Sequence, residues 1–421
     1  MPFIHIVPHS QQKTSFGPYL AGLECTFLLL LSACGGGTQV SFNPVPATET
    51  TTSSGLATVA ILSGPALLGE KIFKDVSLSG SGKMSCASCH DPANAHAPSN
   101  DLSVQLGGMN LDVPGFRAVP SLRYLNLTPS FSFTADGAPI GGFNRDGKAQ
   151  TLALQAERPL LAAHEMANSS KVEVMTKLRR SDYASQFQTV FGSAIFEDTE
   201  SAFERVQFSL QQYQKEDREF HPYDSQYDLF LAGKASLSEP QLRGLALFNN
   251  PLKGNCNGCH TSSKGADGSS PLFTDFSYDN LGLPRNRKIA ANASSSYTDL
   301  GLCGPDRTDL TLRTDLCGAF KVPTLRNVAT RKVFFHNGSF SSLREAVSFY
   351  ARRDTNPAEW YQLAADGSPR KFDDLPAAYM SNVNTTEVPY QRRPGMTAAL
   401  SPSEVEDIVA FLGTLNDGYK K

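Results

Sequence analysis

The pentapeptide C-A-S-C-H occupies residues 86–90, and C-N-G-C-H repeats the pattern at residues 256–260. A C-x-x-C pair alone fits a redox dithiol, half of a zinc site or a haem attachment, but a histidine directly after the second cysteine is typical of covalent haem attachment. In that chemistry both thiols form thioethers with the haem, and the adjacent imidazole is the proximal ligand of the iron. The two pentapeptides therefore predict two covalently bound haems c.

A shared zinc site is a poor alternative, because the ligand pairs of such a site lie at short, matched spacings, whereas these two pairs begin at residues 86 and 256. The chain has only eight cysteines and eight histidines, so two copies of the pattern are not expected by chance. The predicted haem-binding residues are Cys86, Cys89 and His90 for the first haem, and Cys256, Cys259 and His260 for the second.

The chain repeats itself around the two pentapeptides. Each half contains an apolar helical pattern, the pentapeptide, the motif V-P-x-L-R, a turn dipeptide and a second apolar helical pattern, in that order. This order predicts a mostly α fold with long loops, built from two tandem cytochrome c-like domains at residues 61–215 and 216–421, the second carrying an insert around 264–320. The matching segments are 65–73 and 240–248, 119–123 and 322–326, and 146–147 and 337–338. Ser63 and Ser238, each two residues before the proline that opens the first pair of segments, are expected to cap the helices that begin there.

The helices that follow the two turn dipeptides differ at one position. In the second half, Ser342 and Glu345 have the spacing of a capping box, and the helix that follows has an apolar face that includes Tyr350. The equivalent position of the first half, seven residues after Leu152, carries Pro159, which has no donor atom for iron. One haem is thus expected to have an open position and the other a distal ligand, with an inward tyrosine that only packs in the core as the alternative.

The composition limits the function classes. The chain has 421 residues, of which 40% are hydrophobic, and a formal net charge of −3. At ~150 residues per domain this length predicts two or three domains. The small net charge gives no basic field that would favour nucleic acid. No apolar run reaches the roughly 20 residues that a transmembrane helix needs.

The first 60 residues have the features of an export leader followed by a tether. Leu31-Ser32-Ala33-Cys34 follows a short apolar run and resembles a bacterial lipobox, in which the cysteine is lipidated. We therefore expect a lipoprotein-type signal at 1–34, a flexible tether at 35–60 and a periplasmic location with a lipid anchor. A buried apolar segment with an incidental cysteine is the alternative.

Two cysteines remain outside the leader and the pentapeptides. Cys303 and Cys317 flank a loop rich in glycine and aspartate within the insert. In an oxidising compartment they are expected to form a disulfide that closes this loop, with two free buried thiols as the alternative.

Beyond these patterns, the sequence resembles the bacterial di-haem cytochrome c peroxidase and MauG superfamily over roughly residues 61–415. The resemblance rests on the double CxxCH and on the three segments named below. It implies two cytochrome c domains with facing haems, of which the N-terminal one reacts with peroxide and the C-terminal one is six-coordinate. The segments are V-P-T-L-R-N at 322–327, F-F-H-N-G-S-F-S-S-L-R-E-A-V at 334–347 and G-G-F-N-R-D-G-K-A-Q-T-L-A-L-Q-A-E-R-P-L-L at 141–161.

The resemblance also implies roles for individual residues. Tyr350 matches the axial ligand of the second haem, where the peroxidases have methionine and the MauG-like branch has tyrosine. Glu165 matches the distal acid–base residue, Gln155 a hydrogen-bond partner of the bound ligand, and Pro159 the proline over the open haem face. His164 is expected to point away from Glu165, and so to lie behind the site residues or at the surface, because successive helical residues point apart.

Three positions depart from the family pattern. Arg145 occupies the place of the usual inter-haem tryptophan, and an arginine cannot act as an oxidisable relay. The family often binds Ca²⁺ between the haems through carbonyls and an asparagine, but this chain has Arg117-Ala118 there, so one calcium ion is expected only through carbonyls and waters. His96 could close the first haem, as a loop histidine does in the peroxidases, but its position six residues after His90 favours exposure to solvent.

These observations lead to one functional hypothesis and two alternatives. The leading hypothesis is a MauG-like oxidoreductase that uses hydrogen peroxide at the first haem and oxidises a side chain of a partner protein. The first alternative is a peroxidase that reduces hydrogen peroxide with electrons from a small cytochrome or cupredoxin. The second is a di-haem electron carrier without catalysis, which the open position expected beside Pro159 and Glu165 disfavours.

Overall fold

A computed structural model describes residues 61–420. The predicted signal at 1–34 and tether at 35–60 lie outside the described residues. Between residues 61 and 420, no helix combines the length and the apolar character needed to cross a bilayer.

Most of the regular structure in the described chain is helical. Every strand is only two residues long, and loops make up the remainder. The strands form three antiparallel pairs, β1 with β2, β3 with β4 and β5 with β6. The helices are α1 Gly64–Lys74, α2 Cys86–Cys89, α3 Leu152–Gln155, α4 Glu157–Leu161, α5 Lys171–Leu178, α6 Ala184–Phe191, α7 Thr199–Glu216, α8 Gln226–Leu231, α9 Glu239–Asn249, α10 Leu343–Arg352 and α11 Pro402–Gly413. The strands are β1 Leu106–Gly107, β2 Val113–Pro114, β3 Ser132–Phe133, β4 Pro139–Ile140, β5 Tyr278–Asp279 and β6 Phe320–Lys321.

The predicted helix starts are confirmed. Ser63 caps α1 by accepting a hydrogen bond from the backbone of Ala66, and Ser238 forms a capping box at the start of α9. Ser342 and Glu345 form the expected capping box of α10. In each case the side chain satisfies backbone N–H groups that the first helical turn leaves unpaired.

Each half is built on one close helix crossing, and the two crossings are alike. In the first half α1 packs on α7, and an ideal Cβ placed on Gly69 would lie 2.0 Å from the carbonyl oxygen of Ser209. In the second half α9 packs on α11, and a Cβ on Gly244 would lie 1.9 Å from the carbonyl oxygen of Asp407. Glycine is therefore required at both positions, because only a residue without a side chain allows the backbones to approach this closely.

The two V-P-x-L-R motifs also fold alike. The hydroxyl of Ser121 donates to the carbonyl of Ala95, and the hydroxyl of Thr324 donates to the carbonyl of Leu272, both over 2.6 Å. Each bond ties the motif to the segment that follows the pentapeptide of its own half. The repeat seen in the sequence is thus a repeat of contacts in the structure.

The insert of the second half is closed by a disulfide. Cys303 and Cys317 are bonded to each other, with 5.0 Å between their Cα atoms, which confirms the predicted bridge. Side chains of the closed loop reach the first half, where Asp306 forms ion pairs with Lys148 and Arg158, both at 2.8 Å. The insert therefore helps to build the site described next.

Candidate active site

Beside each pentapeptide lies a cavity in the described part of the chain. The first has a volume of about 380 Å³ and is bordered by Cys86, Cys89 and His90. The second has a volume of about 330 Å³ and is bordered by the second pentapeptide, through Cys256, Cys259 and His260. All six predicted haem-binding residues therefore face a cavity.

The two proximal histidines are held in the same way. His90 Nδ1 lies 3.3 Å from the carbonyl oxygen of His96, and His260 Nδ1 lies 2.8 Å from that of Phe273. With Nδ1–H donating to a carbonyl, Nε2 is left with its lone pair for a metal. Burial lowers the pKa of His90 to about 4 and also lowers that of His260, which keeps both rings in the neutral form that binds iron.

The cysteines of the pentapeptides also fit covalent haem attachment. All four are free, and none forms a disulfide with another described residue. Burial raises the pKa of Cys86 to about 12, so its thiol is protonated near neutral pH. Two free thiols, a neutral imidazole and a cavity in each half together fit one c-type haem per half.

The second cavity is walled by helix α10. Its apolar face, with Leu343, Ala346 and Val347, lines the cavity together with Tyr350, which confirms the inward face predicted from spacing. Burial raises the pKa of the Tyr350 hydroxyl, and nearby Asp279 raises it further. This phenol therefore ionises only beside a strong positive charge, such as a ferric ion.

The first cavity is walled by the shorter helices α3 and α4. Gln155 ends α3 and Pro159 lies inside α4, and both side chains border the first cavity. Glu165 also borders it, from the turn that follows α4, and the backbone N–H of Gly108 donates to the Glu165 carbonyl over 2.9 Å. The three residues that the resemblance assigned to peroxide chemistry thus share one cavity.

The prediction that His164 points away from Glu165 is wrong. His164 Nε2 lies 3.4 Å from Glu165 Oε1, and both side chains border the first cavity. The divergence rule applies to helices, but α4 ends at Leu161 and residues 163–166 form a turn. The His164 ring also packs edge-on against Phe116, with 4.7 Å between ring centroids.

The expectation that His96 faces solvent is also wrong. The residue is 0% exposed, and its ring packs against Phe220 and Phe73 at centroid distances of 4.0 Å and 5.9 Å. It lies behind the proximal His90, whose ring contacts the His96 carbonyl. Neither ring nitrogen of His96 has a hydrogen-bond partner among the described residues, and burial lowers its pKa to about 3.

Arg145 borders both cavities, at the place where the resemblance put the inter-haem residue. Its Nε donates to the carbonyl of Ala118 over 2.9 Å. The aromatic residues Phe143 and Tyr124 border the second cavity only. Asn144 and Gln155 also border both cavities, so the wall between them has polar side chains beside the apolar Pro120 and Leu122.

Two residues of the first cavity were missed by sequence reasoning. Tyr297 and Asp306 belong to the insert of the second half but border the cavity of the first. The Tyr297 ring packs against Phe116 at 5.5 Å between centroids. The only signal in the sequence was the cysteine pair around an aspartate-rich loop, and it does not show where that loop packs.

The predicted calcium ion remains a prediction. Among residues 61–420, no three or more His, Cys, Asp or Glu side chains are grouped to hold a metal ion, but the expected ligands were carbonyls and waters. Arg117 pairs with Asp299 at 2.6 Å and with Asp146 at 2.7 Å, so a guanidinium paired with two carboxylates occupies the place that the resemblance gives to the asparagine.

Comparison with known proteins assigns the family. The model of the family described as di-haem cytochrome c peroxidase matches residues 65–236. Methylamine utilization protein MauG of Paracoccus denitrificans is 33% identical over 359 residues, which cover 84% of this chain and 88% of that protein. Cytochrome c551 peroxidase of Nitrosomonas europaea is 27% identical, over 69% of this chain and 73% of that protein.

A solved structure supports the same family assignment. The crystal structure of the diheme peroxidase BthA from Burkholderia thailandensis is 40% identical and superposes with a TM-score of 0.78, covering 86% of this chain and 88% of that one. With relatives of this similarity and a cavity beside each CxxCH motif, the chain belongs to the di-haem cytochrome c peroxidase and MauG family of peroxidase-type oxidoreductases, whose members carry two c-type haems.

Proposed function

We propose that this chain uses hydrogen peroxide at the first cavity and passes the oxidising equivalents to the second. The observation that carries the proposal is the difference between the two cavity walls. The first wall offers Pro159 and Glu165, whereas the second offers the phenol of Tyr350. Bound haem supplies an iron that reduces peroxide where an axial position is open, and moves electrons where both are filled.

The proposed architecture is two tandem cytochrome c-like domains with facing haems. The paired helix crossings at Gly69 and Gly244 support this division. So do the equivalent hydrogen bonds of the two V-P-x-L-R motifs. The two cavities share Arg145 and Gln155 in their walls, which supports haems that lie close to each other.

Glu165 is the proposed proton carrier. Reduction of hydrogen peroxide to two waters consumes two electrons and two protons, and cleavage of the O–O bond needs a proton on the departing oxygen. A carboxylate on the cavity wall takes a proton from one peroxide oxygen and returns it to the other. Gln155 is the proposed hydrogen-bond partner of the bound peroxide, and Pro159, which has no donor atom, is proposed to leave the iron open to peroxide.

Tyr350 is the proposed sixth ligand of the second haem. Its position on the cavity wall of α10 and the raised pKa of its buried hydroxyl support ligation, because an iron is the positive charge that ionises such a phenol. A phenolate ligand stabilises oxidised iron and lowers the reduction potential. The second haem would then hold oxidising equivalents more readily than a methionine-ligated one.

The proposed electron donor is a side chain of a partner protein, in a MauG-like reaction. Similarity to MauG and the tyrosine at position 350 favour this donor. A small cytochrome or cupredoxin is the second candidate, favoured by the 40% identical structure that is called a diheme peroxidase and by Arg145 at the usual tryptophan position. The leader-like residues 1–34 favour the periplasm, with a lipid anchor at Cys34.

The role of Glu165 is tested by Glu165→Gln, which keeps the shape of the side chain but removes its basicity. The rate of reaction with peroxide should fall by ~10² to 10⁴-fold, the usual contribution of a positioned acid–base group, with the absorption spectra of both haems unchanged. Glu157→Gln is the matched control, because Glu157 lies on the same segment and does not border the cavity. Equal rates for the two variants would remove Glu165 from the mechanism.

The role of Tyr350 is tested by counting the irons that have a free coordination site. Wild-type ferric protein should bind one equivalent of cyanide, and Tyr350→Phe should bind two, because the phenyl ring has no oxygen for the second iron. Electron paramagnetic resonance of the ferric state should show one changed haem. A variant with an unaltered second haem would mean that another group is the ligand.

The donor is tested by mixing the protein with one equivalent of peroxide in a stopped-flow spectrometer. A partner-oxidising enzyme should hold its oxidised state for many seconds without a donor, and a reduced small c-type cytochrome should not speed its decay. Turnover that depends on the reduced cytochrome would establish the second candidate. A protein with no spectral response to peroxide would be an electron carrier.

A further inference from the structure

The wall between the two cavities contains an arginine, Arg145, whose side chain forms few hydrogen bonds with the protein. Arg145 donates one hydrogen bond, from Nε to the Ala118 carbonyl at 2.9 Å, and its terminal nitrogens have no hydrogen-bond partner among the described residues. Its backbone carbonyl accepts from the N–H of Lys321 over 2.8 Å, which fixes the residue in the wall. The accessible part of the residue borders the cavities on both sides.

The arginines that are almost fully buried in the described chain, Arg307, Arg326 and Arg353, are all paired with carboxylates. Arg326 contacts Asp228 at 2.9 Å, and Arg353 contacts Asp354 at 2.7 Å. Such pairing is the rule, because a charge without a partner in a low-dielectric interior is strongly destabilising. Arg145 has no ion pair with any residue between 61 and 420.

Two further cations near this wall share that property. Arg331 and Lys321 both border the second cavity, and neither forms an ion pair with a described residue. Arg331 Nη2 donates to the Val119 carbonyl, but its Nη1 is buried without a partner. Three cations therefore face the cavities without an ion-pair partner among the described residues.

Burial affects all three cations. It lowers the pKa of Arg145 to about 9, with repulsion from Arg331 and Arg117 as further causes. It lowers the pKa of Arg331 to about 10 and that of Lys321 to about 8. All three remain charged at pH 7. An anion inside the cavities would stabilise the buried positive charge of each.

We infer that Arg145, with Arg331 and Lys321, forms a carboxylate-binding site for the haem propionates, and that the Arg145 guanidinium serves both haems. A haem carries two propionate carboxylates, and a guanidinium with free terminal nitrogens is suited to bind them. The inference rests on the two c-type haems of the family and not on the proposed peroxide chemistry. Arg145 cannot be oxidised and so cannot relay charge between the haems, but the inference gives it an electrostatic role at this position.

A shared cation has a measurable consequence. A positive charge beside a haem favours the reduced state, which carries one positive charge less on iron, and therefore raises the reduction potential. Arg145→Gln should lower the midpoint potentials of both haems, whereas Arg145→Lys should largely keep them. Spectroelectrochemical titration gives both potentials, and the propionate bending bands of the resonance Raman spectrum should shift in Arg145→Gln.

The control is Arg158→Gln, because Arg158 borders the first cavity only and is paired with Asp306. It should not move the potential of the second haem. If Arg145→Gln fails to accumulate with two haems, Arg331→Gln tests the same site with Arg145 intact and should lower the potential of the second haem.

Three results would overturn the inference. Arg145→Gln could leave both potentials unchanged, or it could move only one of them. It could also leave the Raman bands unchanged while abolishing a dependence of the potentials on chloride, which would mean that Arg145 binds a free anion. Rates with peroxide do not enter any of these readouts, so failure of the proposed function would leave the test intact.

Discussion

The helix that follows the turn dipeptide begins in the same way in each half and then diverges. Phe143 pairs with Ala149 before α3, and Phe334 pairs with Phe340 before α10, as equivalent antiparallel bridges. Helix α10 then runs without interruption to Arg352, whereas the first half stops at Gln155 and restarts at Glu157. The same scaffold thus presents two different walls.

Proline explains the divergence. Pro159 has no N–H, so an uninterrupted helix through this position would lose one of its hydrogen bonds. The break at Ala156 places Pro159 third in α4, within the first turn, where N–H groups need no helical partner. The equivalent Tyr350 lies in the last turn of α10 and projects a phenol into its cavity. Proline in place of tyrosine at this position therefore changes both the course of the helix and the iron-binding atom that the cavity wall offers.

The largest expected effect concerns the crossings that both halves share. Gly69→Ala and Gly244→Ala would each force a methyl group to within about 2 Å of a backbone oxygen. Because backbone atoms cannot move aside, each variant should lose stability at or beyond the ~3 kcal/mol that is usual for overpacking. Urea unfolding of each holoprotein measures this loss.

Gly413→Ala is the matched control for the two crossings. It lies in the same kind of helix, at the end of α11, and a Cβ there would meet nothing within 4 Å. Alanine should stabilise this position by up to ~1 kcal/mol, through its better helix propensity. A Gly69→Ala protein as stable as the Gly413→Ala protein would show that the crossing is not tight.

The disulfide is the next largest effect, and it tests the insert that only the second half has. Replacing Cys303 and Cys317 by serine opens a loop of 14 residues. On the chain-entropy model this should cost ~3 kcal/mol of unfolding free energy. Since Tyr297 and Asp306 border the first cavity, cyanide binding to the first haem should also change, whereas the spectrum of the second haem should not.

The opposite result would also be informative. If removing the disulfide altered only the second haem, the insert would serve its own half, and its contacts with the first cavity would have no function. Arg313→Gln, a change at an exposed ion pair inside the same loop, is the control and should alter neither haem.

Local signals in the sequence predicted local structure well. The caps at Ser63, Ser238 and Ser342 lie next to the helices that they begin, so spacing alone was sufficient. The pairing of Cys303 with Cys317 is predicted from the expected oxidising compartment and from the positions of the two residues, and the structure confirms it.

Contacts set by tertiary packing could not be predicted in this way. His96 was expected at the surface because it follows the pentapeptide closely, but its burial depends on Phe220, which is far away in the sequence. His164 meets Glu165 because the chain leaves the helix before them. Tyr297 reaches the first cavity from the other half.

A smaller effect is expected at the turn that carries Glu165. A Cβ on Gly107 would lie 2.4 Å from the carbonyl oxygen of His164 and 2.8 Å from that of Glu165, so Gly107→Ala should displace the turn. A displacement of ~1 Å can cost about 10²-fold in rate, and the reaction with peroxide should slow to that extent. The potentials of the second haem should be unchanged. A full rate in Gly107→Ala would show that Glu165 needs no exact placement.

The smallest effect concerns the residues that support the proximal histidines. Phe273 in the second half and His96 in the first occupy equivalent places, and each offers its carbonyl to the proximal imidazole. The His96 ring is neutral and unpaired in the folded protein, where its pKa is about 3, whereas an unfolded histidine has a pKa of ~6.5. Below pH 6.5 the unfolded chain therefore binds a proton that the folded chain does not, and stability falls as the pH is lowered.

His96→Phe removes this proton-linked loss and copies the second half. Relative to wild type, the variant should gain about 2 kcal/mol more at pH 5 than at pH 8, since pH 5 lies ~1.5 units below the unfolded pKa and each unit is worth ~1.4 kcal/mol. At pH 8 the gain should be limited to the relief of two unpaired ring nitrogens, ~1 kcal/mol. Urea unfolding at the two pH values measures the difference, and Phe273→His should show the reverse trend in the second half. Equal gains at both pH values would mean that the His96 ring finds a proton acceptor when the haem is bound, and the two halves would then support their proximal ligands differently.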